Sequence, residues 1–192
     1  YRLWTWTDTA FASASHAADG DADAYMNDEK RGDGVESVAQ STTHDSARAR
    51  ERGMHRAAIV MGVGESHDHS MISQMPSYTS FAARNSGKTA MEMAGVKHAH
   101  LDLAMIYDSF TYTVLLSLEE LGFCGKGEGG AFVSGQRTAP GGEFPMNTNG
   151  GGLSYTHSGM YGMFAIIEAV RQVRGDYADQ GIRQVPDCEL AL

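Results

Sequence analysis

The chain has 192 residues and a formal net charge of −9 at pH 7, with 42% hydrophobic and 20% charged residues. This composition is typical of one globular domain and excludes disorder throughout the chain. The 15 lysines and arginines are scattered rather than clustered, so the sequence also excludes a nucleic-acid-binding surface.

Targeting and redox signals are few. Two cysteines cannot form a disulfide framework, and no apolar run approaches the ~20 residues that a membrane-spanning helix needs. The first residues, Tyr-Arg-Leu-Trp-Thr-Trp, have neither the basic and apolar regions of a signal peptide nor an initiating Met. We therefore expect a cytoplasmic protein without a membrane span, whose chain begins within a longer product.

Residues 1–55 are rich in Ala, Asp, Ser and Gly and show little apolar periodicity. We predict a poorly patterned segment there, with at most one short helix around 46–51. Residues 57–64 are an apolar run that ends in glycine, which predicts a buried strand leading into a long polar loop over 65–85. The folded domain is predicted to cover 56–192.

A helix and a strand–turn–helix unit are predicted next. Ser86 is suited to cap a helix that Gly95 would end. Residues 101–107 have the composition of a strand, and Asp108 and Ser109 supply a capping residue before an amphipathic helix.

The last third of the chain is dominated by a glycine-rich connection over 122–152. Loops of about thirty residues are unusual in compact domains and usually build sites. An amphipathic helix is predicted over 159–174, and short strands over 184–185 and 190–192. Strands that alternate with helices indicate an α/β architecture with a mixed sheet.

Several motifs together resemble one known family. Residues 106–133 resemble the segment after a core strand in sterol-carrier-protein-x thiolases, and 145–162 resembles that family's Asn-x-x-Gly-Gly…Gly-His-Pro-x-Gly region in order and spacing. Shorter stretches also fit: 72–76, 139–142, 168–175 and 183–187. The sequence is thus similar, over about 57–192, to the carboxyl-terminal half of the thiolase superfamily, including bacterial lipid-transfer proteins and acetyl-CoA acetyltransferases.

The resemblance implies a half-domain with a five-stranded mixed sheet covered by helices, incomplete at its end. In the family this half packs against a similar amino-terminal half, and the full-length proteins are homodimers. The implied reaction makes or breaks a carbon–carbon bond next to a thioester carbonyl. The substrate is an acyl group or a sterol carried on coenzyme A, with no bound cofactor and no metal.

The resemblance also assigns site residues. His157 matches the histidine that helps to activate a cysteine and hydrogen-bonds the thioester oxygen. Tyr107 lies at the family's Asn position, where a phenol can donate to an oxyanion or act as an acid. The matched motifs imply a substrate-binding role for five further residues: Asp108, Asn147, Gly151, Gly152 and Ser154.

Three departures from the family pattern bear on activity. The nucleophilic cysteine belongs to the amino-terminal half, the last catalytic loop follows the final Leu-Ala-Leu, and Ser158 replaces the motif's proline. We therefore expect the isolated chain to be inactive.

The sequence leaves three functions open. The first is an acyl-CoA acyltransferase of lipid metabolism, similar to thiolases. The second is a retro-aldolase of sterol side-chain degradation that acts with an OB-fold partner and uses tyrosines at the positions of Tyr107 and His157; only the first is a tyrosine here, which favours the thiolase branch. The third is a non-catalytic lipid- or CoA-binding fragment.

Other reactive side chains receive ordinary interpretations. Cys124 and Cys188 are predicted to be packing residues rather than nucleophiles. Two His-x-His pairs, at 67–69 and 98–100, are interpreted as solvated loop histidines because no cysteine or carboxylate set completes a metal site.

Overall fold

The computed structural model describes residues 8–15, 58–69, 71–155 and 161–192. The helix predicted around 46–51 lies outside these ranges. Within them, five α-helices are present: α1 (Ala83–Ala94), α2 (Thr111–Leu121), α3 (Gly129–Phe132), α4 (Gly152–Tyr155) and α5 (Tyr161–Val173). Four short 3-10 turns lie at Ile72–Gln74, His98–His100, Ser134–Gln136 and Gly181–Arg183. None of these helices is long and apolar enough to cross a membrane.

A three-stranded antiparallel sheet has the order β2-β1-β3. Its strands are β1 (Asp8–Ser15), β2 (Ala58–Ser66) and β3 (Leu190–Ala191). Two parallel bridges, Leu103 with Ala191 and Ala104 with Met146, continue the pairing beyond β3. The described residues therefore form a mixed arrangement of three strands and two bridged segments, and the five-stranded sheet stays a prediction.

The central strand β1 comes from the segment predicted to be poorly patterned. Its sequence, Asp-Thr-Ala-Phe-Ala-Ser-Ala-Ser, contains one large apolar residue, so no apolar alternation marks it as a strand. Its register with β2 runs from Asp8 opposite Ser66 to Ser15 opposite Ala58. Pairing with β2 and β3 stabilises this strand, although its sequence does not predict one.

Helices cover the sheet on both faces. Adjacent residues of an extended segment point to opposite faces, and Leu190 and Ala191 accordingly belong to different core clusters. Leu190 packs in the cluster that contains Leu118 of α2, whereas Ala191 packs with Val173 of α5. Helix α1 also contacts β1 and β2, and α5 contacts β1 and β3. The result is a helix–sheet–helix sandwich.

Helix α1 packs directly on the backbone of β2. A Cβ atom at Gly62 would lie 2.0 Å from the carbonyl oxygen of Ala90, and one at Gly64 would lie 1.9 Å from that of Ser86. Only glycine permits this approach. The glycines that end the predicted strand are therefore packing residues of the domain.

Several predicted elements are confirmed. The strand predicted over 57–64 is β2, the final strand is β3, and the helix predicted over 159–174 is α5 within its described part. Gly95 ends α1 in the left-handed conformation, as predicted.

Four local predictions are wrong. Ser86 does not cap α1, which begins at Ala83; its hydroxyl donates to the carbonyl of Ala83 inside the helix. Asp108 and Ser109 do not cap α2, whose N-cap is Phe110. The strand over 101–107 is reduced to two bridge residues, and residues 184–185 form no strand. For Asp108 and for residues 184–185 the reason is a distant partner: the Asp108 carboxylate accepts from Gly152 and Leu153, and the N–H of Val185 donates to the side chain of Gln172.

Candidate functional site

The site is built on one turn, residues 147–149, at the end of the glycine-rich connection. The backbone N–H of Asn147 donates to the carbonyl of Ala104 at 3.1 Å, and its side-chain Oδ1 accepts from the N–H of Ile106 at 2.9 Å. Asn147 has φ 46°, a left-handed conformation that asparagine tolerates better than most residues. These bonds fix the backbone immediately before Tyr107.

Two tyrosine rings meet beside this turn. Tyr107 is partly buried and stacks on Tyr161, with ring centroids 5.2 Å apart and an angle of 27° between the planes. Tyr161 is the first residue of α5 and is only 2% exposed. Its hydroxyl donates to Oδ1 of Asn149 at 3.1 Å. The pair places a partly accessible phenol against a buried one.

Asp108 holds the next loop in place. Its buried carboxylate accepts hydrogen bonds from the backbone N–H groups of Gly152 and of Leu153, the latter at 3.3 Å. The loop can approach this closely because Gly151 and Gly152 have no side chains: a Cβ at Gly151 would lie 2.1 Å from Oδ2 of Asp108. The short helix α4 is therefore anchored to the residue after Tyr107.

The structure thus brings most of the predicted site residues around one loop. Tyr107, Asp108, Asn147, Gly151 and Gly152 adjoin one another. The observed contacts of Asp108 and Asn147 are with backbone, so their role in binding substrate stays a prediction.

The two other predicted site residues are Ser154 and His157. Ser154 is exposed, and its hydroxyl donates to the carbonyl of Gly150 at 2.6 Å. His157 lies outside the described residues.

A buried carboxylate network supports the same turn. Glu168 of α5 is 3% exposed and accepts from Thr148 at 2.7 Å, from the hydroxyl of Tyr177 at 2.6 Å and from Gln172 at 3.1 Å. Arg183 lies 3.4 Å from it. Burial opposes ionisation of Glu168, but these hydrogen bonds and the Arg183 charge outweigh it and lower its pKa below the ordinary 4.5.

Sequence reasoning missed Tyr161, Thr148 and Glu168. A signal was present, because Tyr161, Glu168 and Gln172 recur at helical spacing on the buried face of α5. Polar residues are rare on such a face unless they are hydrogen-bonded.

Comparison with known proteins identifies the domain. Residues 64–192 match the family described as thiolase C-terminal domain-like. The chain belongs to this family. The thiolase-like half-domain predicted from the motifs is thereby confirmed.

Three proteins similar to this thiolase domain are named as a lyase, an aldolase and an acetyltransferase. The chain is 43% identical to a 17-hydroxy-3-oxo-4-pregnene-20-carboxyl-CoA lyase of Mycobacterium tuberculosis over 46% of its length and 22% of that protein's. It is 40% identical to a steroid side-chain-cleaving aldolase of Thermomonospora curvata (49% and 24%). It is 34% identical to an acetyl-CoA acetyltransferase of Methanothermobacter thermautotrophicus (58% and 28%).

A solved structure named Ltp2-ChsH2(DUF35) aldolase is similar to 62% of the chain and 28% of that structure's chain, with 36% identity and a TM-score of 0.49. The match spans only about a quarter of the length of the curated relatives, between 22% and 28%.

Neither cysteine of the thiolase domain is activated. Burial raises the pKa of Cys188 to about 12. Burial, together with the carboxylates of Glu119 and Glu128, also raises the pKa of Cys124. A nucleophilic cysteine needs the opposite shift, because the thiolate is the reactive form.

The described part of the domain contains no group of three or more His, Cys, Asp or Glu side chains that could hold a metal ion. Nε2 of His98 lies 2.6 Å from the carbonyl oxygen of Leu121, and Nδ1 of His100 accepts from the N–H of Lys97.

The buried phenol gives the thiolase domain a pH dependence. Burial first, and then the nearby Asp108 carboxylate, raise the pKa of Tyr161 to about 12 from an ordinary 10. A raised pKa in the folded state means that this group's contribution to stability is complete below pH 10 and is lost between pH 10 and about 12. We expect a loss of as much as ~2 kcal/mol of unfolding free energy there.

Urea unfolding at a series of pH values, compared with the Tyr161→Phe variant, measures this loss as a difference. Phenolate absorbance gives the titration directly. Equal slopes in the two proteins between pH 10 and 12 would show that Tyr161 does not titrate with folding.

Proposed function

We propose that the chain supplies the carboxyl-terminal half of an enzyme that makes or breaks a carbon–carbon bond next to the carbonyl of a coenzyme A thioester. Family membership and the names of the relatives support this reaction class. The observation that carries it is the phenol of Tyr107, which is held at the end of its segment by Asn147 and stacked on Tyr161.

Tyr107 is the group we assign to the chemistry. Tyr161 is only 2% exposed, and its hydroxyl donates to Asn149. Tyr107 is the more accessible member of the pair. A phenol there can donate a hydrogen bond to the enolate oxygen or transfer a proton. His157 would face the same thioester oxygen, as the family motif implies.

We place retro-aldol cleavage first, because it needs no nucleophilic cysteine and neither cysteine of the domain is activated, although the histidine at 157 matches the thiolase branch. A base removes the proton from the hydroxyl of a 3-hydroxyacyl-CoA, the bond between the second and third carbons breaks, and the hydroxyl carbon becomes a ketone. The electron pair passes to the thioester enolate, which then takes up a proton. Bond cleavage of this kind needs a base for the hydroxyl proton and a donor for the enolate oxygen, and no nucleophile; a phenol can supply the donor. The 43% identical relative is named as a lyase.

Acyl transfer of the thiolase type is the second candidate, supported by the 34% identical acetyl-CoA acetyltransferase. It needs a thiolate to attack the substrate, and the shifts of Cys124 and Cys188 run against one. The nucleophile would therefore come from an amino-terminal half.

An apolar surface supports the need for a second half. Met163, Phe164 and Ile167 of α5 are exposed, and Phe164 stacks on the exposed Tyr155 at 5.7 Å. Apolar patches of this kind mark interaction sites. We also propose that the full-length protein forms a homodimer and binds an OB-fold partner.

The test combines the chain with a separately expressed thiolase amino-terminal half in two versions, with cysteine or alanine at the nucleophile position. Each mixture is assayed for cleavage of a branched 3-hydroxyacyl-CoA and for thiolysis of a 3-oxoacyl-CoA by free coenzyme A. Titration calorimetry with acetyl-CoA measures binding by the chain alone and by each mixture.

We expect cleavage of the hydroxyacyl substrate with both versions. Thiolysis that requires the cysteine version would favour acyl transfer instead. Binding without turnover in any mixture would leave a non-catalytic CoA-binding fragment and contradict the proposal.

A further inference from the structure

The turn 147–149 ties three different parts of the domain together through three consecutive side chains. Asn147 accepts from Ile106, immediately before Tyr107. Asn149 accepts from the hydroxyl of Tyr161 and from the N–H of Gly151. The side chain between them, Thr148, points to α5. The turn therefore connects the backbone next to Tyr107 to the hydroxyl of Tyr161.

The contact made by Thr148 is the strongest of the three by chemistry. Thr148 is 8% exposed; its hydroxyl donates to Oε1 of Glu168 at 2.7 Å and accepts from Gln172 at 3.0 Å. Hydrogen bonds to an ionised carboxylate are about twice as strong as those between neutral groups. Glu168 follows Tyr161 by seven residues, so both lie on the same face of α5. The contact fixes the height of the turn along α5 relative to Tyr161.

We propose that Thr148 and Glu168 form a positioning pair that sets the stacking of Tyr107 on Tyr161. Stacking by itself contributes about 0.5–1.5 kcal/mol and permits the rings to slide over one another. A rigid link between the two backbones removes that freedom. The pair touches no substrate, and its catalytic consequence rests on the function proposed for Tyr107.

The two oxygens of Glu168 offer a matched comparison. Oε1 takes the hydrogen bonds from Thr148 and Gln172, whereas Oε2 takes the hydroxyl of Tyr177 and lies beside Arg183. Removing the Thr148 hydroxyl removes the hydrogen bond between Glu168 and the turn. Removing the Tyr177 hydroxyl also takes one hydrogen bond from Glu168, but that bond leads to the carboxyl-terminal segment. A purely structural role would make the two losses equivalent.

The experiment uses the whole chain with isotopically labelled tyrosine. Cross-relaxation between the rings of Tyr107 and Tyr161 is measured by NMR, with resonances assigned from the Tyr107→Phe and Tyr161→Phe variants. We expect Thr148→Val to reduce the inter-ring signal to less than half, Thr148→Ser to restore it, and Tyr177→Phe to leave it unchanged while lowering the melting temperature.

An unchanged inter-ring signal in folded T148V, or an equal loss in Tyr177→Phe, would overturn the positioning role. If T148V does not fold, Thr148→Cys keeps most of the volume with a weaker donor and must also reduce the signal. In the reconstituted enzyme, T148V should lower kcat with little change in KM. A reduced ring signal in T148V, together with no activity in the wild-type mixture, would support the positioning pair and overturn the proposed function.

Discussion

Replacement of Tyr107 by Phe is expected to lower kcat of the reconstituted enzyme by roughly 100- to 10,000-fold, the usual contribution of a general acid or base. The phenylalanine ring keeps the stack on Tyr161 and the backbone bonds made by Asn147, which involve no phenol oxygen. KM and the melting temperature should therefore stay close to the wild-type values. Steady-state kinetics on the hydroxyacyl-CoA substrate measures the effect.

Tyr112→Phe is the matched control. Tyr112 lies on α2, is 55% exposed, and donates its hydroxyl to the carbonyl of Tyr78. Its loss removes a phenol outside the site, and wild-type kcat is expected. If Tyr107→Phe also keeps wild-type kcat, the phenol takes no part in the chemistry, and the catalytic group must be sought at His157 or in the thiolase amino-terminal half of the mixture.

The sequence predicted the family well, because the resemblance depends on contiguous motifs. The stretch 145–162 places a loop rich in glycine before α5, and the structure builds the candidate site there. Element ends that depend on glycine were also predictable: Gly95 ends α1 through its own backbone conformation, which no distant residue needs to supply.

Some predictions failed because a distant residue takes the polar group that a local rule assigns elsewhere. Asp108 has the sequence position of a helix cap, yet its carboxylate accepts from Gly152 and Leu153, which lie 44 and 45 positions later in the chain. The stack of Tyr107 on Tyr161 is equally invisible, because it depends on how α5 docks against the bridged segment. The central strand β1 was missed because its stability comes from pairing on both edges. Local patterns do not encode such tertiary pairings.

Replacement of Gly151 by Ala is expected to destabilise the domain by roughly 2–4 kcal/mol, because two costs combine. The residue has φ +73°, which an L side chain rarely adopts, and its Cβ would lie 2.1 Å from Oδ2 of Asp108. The carboxylate must then move away from the N–H groups of Gly152 and Leu153, which anchor α4 beside Tyr107. Urea unfolding gives the loss.

Gly127→Ala separates these two costs. Gly127 has φ +81°, but a Cβ there would meet nothing within 4 Å, so its substitution is expected to cost only the backbone strain of about 1–2 kcal/mol. Asp108→Ala provides the second comparison: in that background the steric cost of Gly151→Ala should disappear, leaving a cost like that of Gly127→Ala. If Gly151→Ala costs no more than Gly127→Ala in the wild-type background, then the approach of the loop to Asp108 is not tight. The carboxylate of Asp108 could then bind substrate instead of the backbone N–H groups of α4.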